Sequence, residues 1–399
     1  MFVRLEDPVV RKSPTAPTAQ WALFALGFRP FYLLAALLAA TAIPLWVLVF
    51  MGKLTLPLPG IWWHAHEMIF GFAAAVIVGF LFTAGRNWTG LPTPTGKALA
   101  ALAGLWLAGR LAMLLGDGAW VALVDGAFLP VVAVVLARLL WRANQSRHNY
   151  FVPVLIGALA LANICFHLAR SSVIDIEPLR CLYAALMLIV LLETVIAGRV
   201  TPGFTAATIR GVRQWRPVWL DIATIVLTGF AFVAWLLRLP VALAATLALV
   251  AAIAHLVRAL GWNPWATRRE PMLWILHVSY LWIPIGLLLL MAQQLGWVPL
   301  SAPMHAFGIG ATGGLIIGMI TRTALGHTGR QLKVGAGETA AYVLVPLAAL
   351  VRVATLVFLP ALAMVGIHVA ATLWALAFAI YLLRYAPWLA RPRLDGQPG

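Results

Sequence analysis

Apolar stretches of about 20 residues recur along the whole chain, centred near residues 40, 74, 106, 130, 160, 188, 227, 250, 282, 313, 348 and 371. Each is long enough to cross the ~30 Å hydrocarbon core of a bilayer as a helix. Only 10% of the 399 residues are charged, too few to cover the surface of a soluble domain. The fold class that follows is all-α: a polytopic membrane protein with twelve transmembrane helices. They form a single domain over residues 29–385, flanked by tails at 1–28 and 386–399 that are too short and too rich in Pro and Gly to fold alone.

The formal net charge is +16, which would suit nucleic acid were it not for its distribution. Most of the 28 basic residues fall in the tails and in the loops after even-numbered spans, including Arg138/Arg142/Arg147, Arg199/Arg210/Arg213/Arg216 and Arg384/Arg391/Arg393. The opposite loops hold Lys53, Arg170, Arg180 and Arg238. That asymmetry predicts an N-in/C-in topology, with both termini cytoplasmic, and leaves no charge for a nucleic-acid partner. The N-terminus carries acids and prolines ahead of its apolar run, so it does not read as a cleaved signal. Cys165 and Cys181 face each other across the hairpin between spans 5 and 6. Either a disulfide or two packed thiols fits there, and packed thiols are the simpler arrangement.

Eight of the nine histidines lie within or at the ends of apolar segments. Ionisable groups are costly in lipid and usually serve a ligand, an ion path or a cofactor. Imidazole is also the commonest side chain for holding haem iron and copper. With odd spans running outward, His64, His66, His167, His305 and His368 lie at the outer ends, and His255, His277 and His327 nearer the cytoplasm. His148 falls in a basic loop. For His255 and His368 an ordinary interhelical hydrogen bond is sufficient explanation.

His64 and His66 are two residues apart, which on a helix turns them about 200° from each other. They cannot both reach one metal unless the segment is unwound there. The expected haem-iron pair is His305 with one of the two, His66 being preferred, and His64 is left for copper or a second haem. Glu67 and His167 are candidate supporting groups. Gly310, Gly314 and Gly318 recur every four residues in span 10. They form either a helix-packing face or, for Gly310 and Gly314, a flat wall against a macrocycle. His277, with Tyr280 one turn on, and His327 after span 10 are candidates for an inner copper or second haem site. Arg322 and Arg330 are candidate contacts for a propionate or substrate. Glu193 is the lone acid of span 6. There is no Cys-x-x-Cys-His, so any haem is non-covalent and b-type.

Several longer strings carry a resemblance. Pro30-Phe31-Tyr32, the run Trp63-His64-Ala65-His66-Glu67-Met68-Ile69-Phe70-Gly71-Phe72 and Asn87-Trp88-Thr89-Gly90 resemble the N-terminal signature of the NnrS family. Gly198-Arg199-Val200-Thr201-Pro202-Gly203-Phe204-Thr205 is similar to its mid-chain motif, and Leu325-Gly326-His327-Thr328-Gly329-Arg330 to its C-terminal one. Departures are Gly203, where a bulky residue is usual, and Gly85-Arg86, which replaces a more apolar, Pro-containing pair. The resemblance implies a bacterial inner-membrane protein with haem and copper, acting in the response to nitric oxide. Whether nitric oxide is reduced by a haem-dependent oxidoreductase with an unidentified electron donor, bound, or only sensed stays open at this point. The outer histidines of spans 2 and 10 also resemble those of subunit I of the haem-copper oxidases. In that family spans 6 and 7 supply copper ligands, and here they carry no histidine. The competing function is a twelve-span secondary transporter, although no six-span repeat is evident.

Overall fold

The structure, a computed structural model, describes residues 21–143 and 149–397. His148 and Arg147 lie outside the described residues, as does the chain before residue 21. The described residues are helical, with no strand among them. Among the described residues, twelve helices are long and apolar enough to cross a membrane: Phe28–Phe50, Gly60–Thr89, Gly96–Leu115, Ala119–Ala143, Phe151–Arg170, Pro178–Thr208, Val218–Leu236, Val241–Gly261, Pro271–Gln294, Ser301–His327, Ala336–Val357 and Pro360–Ala390. They are called spans 1 to 12. Span 12 runs on to Ala390, past the boundary expected at residue 385. The amide of Ala22 donates to the carbonyl of Ala390, so both ends of the described chain meet at one face, here called the terminal face. The other is the distal face.

Burial separates two classes of helix. Spans 2 and 10 are each 78% buried over their most apolar window, and spans 6 and 9 are 61% and 67% buried, against 33–44% for the others. The four buried spans form the interior, and the others present apolar side chains such as Leu123, Phe230 and Leu383 outward, as a lipid-facing ring must.

Small residues let the interior helices approach. A Cβ on Gly310 would lie 2.3 Å from the Trp282 ring, one on Gly314 2.2 Å from Ser279 Oγ, and one on Gly318 2.8 Å from Leu276. All three faces pack on span 9, as small-xxx-small contacts do in membranes. The expected macrocycle wall at Gly310 and Gly314 is therefore corrected: span 9 covers them. Gly308 is the glycine of this helix that looks into open space.

Spans 2 and 10 share a second peculiarity. Each begins as α-helix, Gly60–His66 and Ser301–His305, then widens into a π-helix, Glu67–Ala73 and Ala306–Gly313, before returning to α. Such widened turns are rare and concentrate at functional sites. Here both directly follow a histidine. Span 4 is also interrupted, between Gly126 and Phe128, just after Asp125. Cys165 and Cys181 are free thiols.

Candidate functional site

At the distal end of spans 1, 2, 6, 10, 11 and 12 lies a cleft with about 1140 Å³ of space between protein atoms, including its open side. Its walls are mostly apolar, among them Met68, Phe72, Leu186, Met304, Gly308 and Trp374. Such a lining with few polar groups suits a large flat ligand.

The polar groups are specific. The rings of His64 and His305 lie with centroids 6.4 Å apart and planes 19° from parallel. Two metal–nitrogen bonds of about 2 Å each, plus the two ring radii, fill a separation of that size. His305 Nδ1 donates to the carbonyl of Ser301 at 2.6 Å, which leaves Nε2 as the lone-pair nitrogen. A metal-binding histidine is commonly fixed in this way, by a backbone carbonyl on its far nitrogen. Trp46 stacks on His64 with centroids 4.4 Å apart, and His64 Nδ1 has no hydrogen-bond partner. Arg352 Nη1, Trp46 Nε1 and Thr312 Oγ1 are likewise buried without a partner, and all three residues line the cleft. Orphaned buried polar atoms are rare in folded proteins, and several converging on one space point to a missing ligand.

His66 faces elsewhere, as the 200° separation from His64 requires. Its Nδ1 lies 3.1 Å from Glu67 Oε1, and its Nε2 lies 3.1 Å from Asp125 Oδ2 and 2.9 Å from Asn163 Oδ1. The sequence-based pairing of His66 with His305 is corrected here: His64 is the residue across from His305. Arg110 donates to Glu67 Oε1 at 2.6 Å and to Asp125 Oδ1. His167 Nε2 donates to Asp125 Oδ2 at 2.8 Å, and its Nδ1 accepts from Arg170 Nε at 3.1 Å. Arg170 also donates to Asp117 at 2.6 Å. The amide of Gly118 and then Arg170 hold the Asp117 carboxyl, in the loop after span 3, below the usual carboxylate range. The result is a sealed cluster of opposite charges with one edge at the distal surface. Glycines make room for it: a Cβ on Gly109 would lie 3.3 Å from Asp125 Cα, and one on Gly71 3.2 Å from Glu67 Oε2. His66, Asp125 and His167 can each offer one ligand atom, all within 4.8 Å of one another.

The inner histidines are separate. His277 donates from Nε2 to Thr205 Oγ1 at 2.9 Å, because that hydroxyl is itself committed to the Thr201 carbonyl. Tyr280 pairs with His255 Nδ1 at 2.7 Å and accepts from Arg258 at 3.1 Å, while His255 Nε2 reaches Thr228 at 2.9 Å. The Tyr280 proton is thus committed to His255 and is not free for a ligand near His277. His327 packs on Phe28 with centroids 5.5 Å apart, and Arg393 binds its carbonyl. No contact joins His277 and His327 among the described residues, so the inner copper or second haem pair expected from sequence is not assembled. Arg322 lies 3.8 Å above the Phe204 ring, and Arg330 4.5 Å above Trp388. Arg322 is 17 residues below His305, about 25 Å along a helix, and does not reach the cleft. His368 is exposed.

Sequence reading missed Arg352, Asp125, Arg110, Asn163 and Thr312. The first three carried a usable signal, since each is a charged residue inside an apolar window. Their partners, on other spans, were not readable.

Residues 22–393 match the family model described as NnrS protein. Comparison with curated proteins gives no match.

Proposed function

Because this chain belongs to the NnrS family, we propose that it is a haem-binding membrane protein of the nitric oxide response, with one non-covalent haem held between His64 and His305. The proposed setting is the bacterial inner membrane, with the terminal face cytoplasmic. The observation that carries this reading is the pair of near-parallel imidazoles with free nitrogens inside an apolar cleft. The donor set fits a haem: two neutral nitrogens for the iron, an unpaired guanidinium for a propionate, and aromatic walls for the ring. A haem bound there would supply single-electron chemistry. Ser301 fixes the His305 tautomer, Trp46 holds the His64 ring, Arg352 would neutralise carboxylate charge, and Phe72 and Trp374 give the cleft an aromatic wall.

A visible absorption spectrum of the purified protein tests this. An intense Soret band that is lost in both His64→Ala and His305→Ala supports it. A colourless wild-type protein overturns it and leaves the transporter reading.

A second reading concerns copper. Both ring nitrogens of His66 face oxygen acceptors, so the cluster holds either a doubly protonated imidazole or a metal in place of a proton. Imidazole and carboxylate donors suit Cu(II). Copper analysis of His167→Ala/Asp125→Asn separates the two: copper content falls if the cluster is a ligand set and is unchanged if it is a charge network.

A further inference from the structure

Below the cleft, toward the terminal face, lies a second, half-open cavity between spans 1, 2, 6, 9 and 10, with about 710 Å³ of space between protein atoms, including its open side. That is room for several water molecules. Its lining is almost wholly apolar; Tyr32, Thr201 and Glu193 are among the residues that line it, and Tyr32 OH, Thr201 Oγ1 and Glu193 Oε2 are buried without a hydrogen-bond partner. A buried carboxyl oxygen left unpaired is expensive unless water reaches it. Glu193 neighbours Thr312, and Thr312 lines the cleft above with its own hydroxyl unpartnered. One carboxyl therefore stands at the partition between the two spaces.

The cavity also has an approach from the terminal face. Glu338, at the start of span 11, is paired with the half-exposed Arg384 and accepts a hydrogen bond from Tyr385 at 3.2 Å. Tyr385 stacks on Tyr381 with centroids 4.5 Å apart and planes 6° from parallel. Tyr381 OH is unpartnered, and its span packs along span 1, which carries Tyr32. The series runs from an ion pair at the surface, through phenols, to the cavity and its acid.

We propose that this series is a proton path from the terminal face to the cleft, with Glu193 as its intermediate acceptor. A proton taken from water at the terminal face forms an O–H bond on a Glu193 carboxylate oxygen. The same group later releases a proton through the Thr312 hydroxyl into the cleft, so Glu193 undergoes no net change. The proposal rests on the cleft being the place where protons are consumed. It gives a use to four buried polar atoms that the haem pocket and the distal charge cluster leave unexplained.

The test is infrared difference spectroscopy of the full-length protein in lipid nanodiscs, read with or without bound haem. The acid C=O band that disappears in Glu193→Gln is followed after transfer to D2O. The expected result is a shift of that band within seconds, slowed about tenfold in Tyr32→Phe/Thr201→Val. Thr312→Val, on the far side of Glu193, leaves the rate unchanged. Loss of no band in Glu193→Gln, a band that resists deuterium for hours, or a rate untouched by the Tyr32/Thr201 pair would each overturn the path. Because the readout needs no cofactor, absence of haem sinks the cleft reading without deciding this one.

Discussion

His64 and His305 face each other across a cleft with ring centroids 6.4 Å apart, while His66, two residues further along the same helix, is bonded to Glu67 and Asp125. The adjacent histidines thus have opposite chemical fates. His64→Ala and His305→Ala should each lower haem retention more than about 100-fold, beyond the 10–100-fold typical of supporting residues. His66→Ala should keep the Soret band in whatever fraction remains folded. Spectra of the three purified variants, normalised to protein, check this; loss of haem in His66→Ala alone would restore the original pairing.

Arg352→Met should weaken haem retention about tenfold without shifting the Soret maximum, the loss expected for one charge-assisted hydrogen bond. Haem transfer to apomyoglobin, followed as a rate, is the measurement. An unchanged rate would mean that the unpaired Nη1 serves something other than a propionate.

Arg110 is the cation shared by Glu67 and Asp125. Arg110→Met leaves two buried carboxylates short of a partner and should cost about 3–5 kcal/mol of stability. Adding Glu67→Gln should recover part of that loss, because the pair is coupled. Thermal unfolding in detergent reads both; equal melting of the single and double variants would show that the cluster tolerates the lost cation.

The glycines of span 10 divide by what they face. Gly310→Val and Gly314→Val drive a side chain into Trp282 and Ser279 and should destabilise by about 1–3 kcal/mol each. Gly308→Val meets open space, so it should leave stability nearly unchanged while narrowing the cleft and reducing haem content. Melting curves and haem content measured on the same samples separate the two behaviours.

Reporter fusions placed after Arg147 and after Arg216 should both report cytoplasm, given the basic residues in those loops. A periplasmic signal at either point reverses the assignment of the terminal face.

The helices were legible because twelve apolar windows separated by loops leave little freedom, and they match the twelve helices observed. Depth was legible too: His64 and His305 were both assigned to the distal ends, where they stand. Rotation was not. An ideal helix phase separates His64 from His66 but does not say which one looks at span 10, and that depends on how span 3 brings Arg110 and span 4 brings Asp125 to His66. The glycine stripe misled for a related reason. A smooth face fits a neighbouring helix or a flat cofactor equally well, and only the position of Trp282 on span 9 decides. Tyr280 lay on the expected face of span 9, but its partner came from span 8, a contact invisible along the chain.

The π segments bear on how these two helices tolerate change in length. In each, the backbone hydrogen bond reaches one residue further than in an α-helix, so the segment absorbs an extra residue without turning what lies above against what lies below. An ordinary helix that loses one residue rotates its far half by about 100°. A one-residue deletion within Ala306–Gly313 instead lets the backbone relax to α, keeping His305 on the cleft and Gly314 and Gly318 on Ser279 and Leu276. The same deletion a turn lower, in the α-helical stretch after Gly314, has no such reserve and swings the histidine away from the glycine face. Spans 2 and 10 are therefore each two helices end to end, one facing the cleft and one set by the neighbouring span, with the widened turn as the splice.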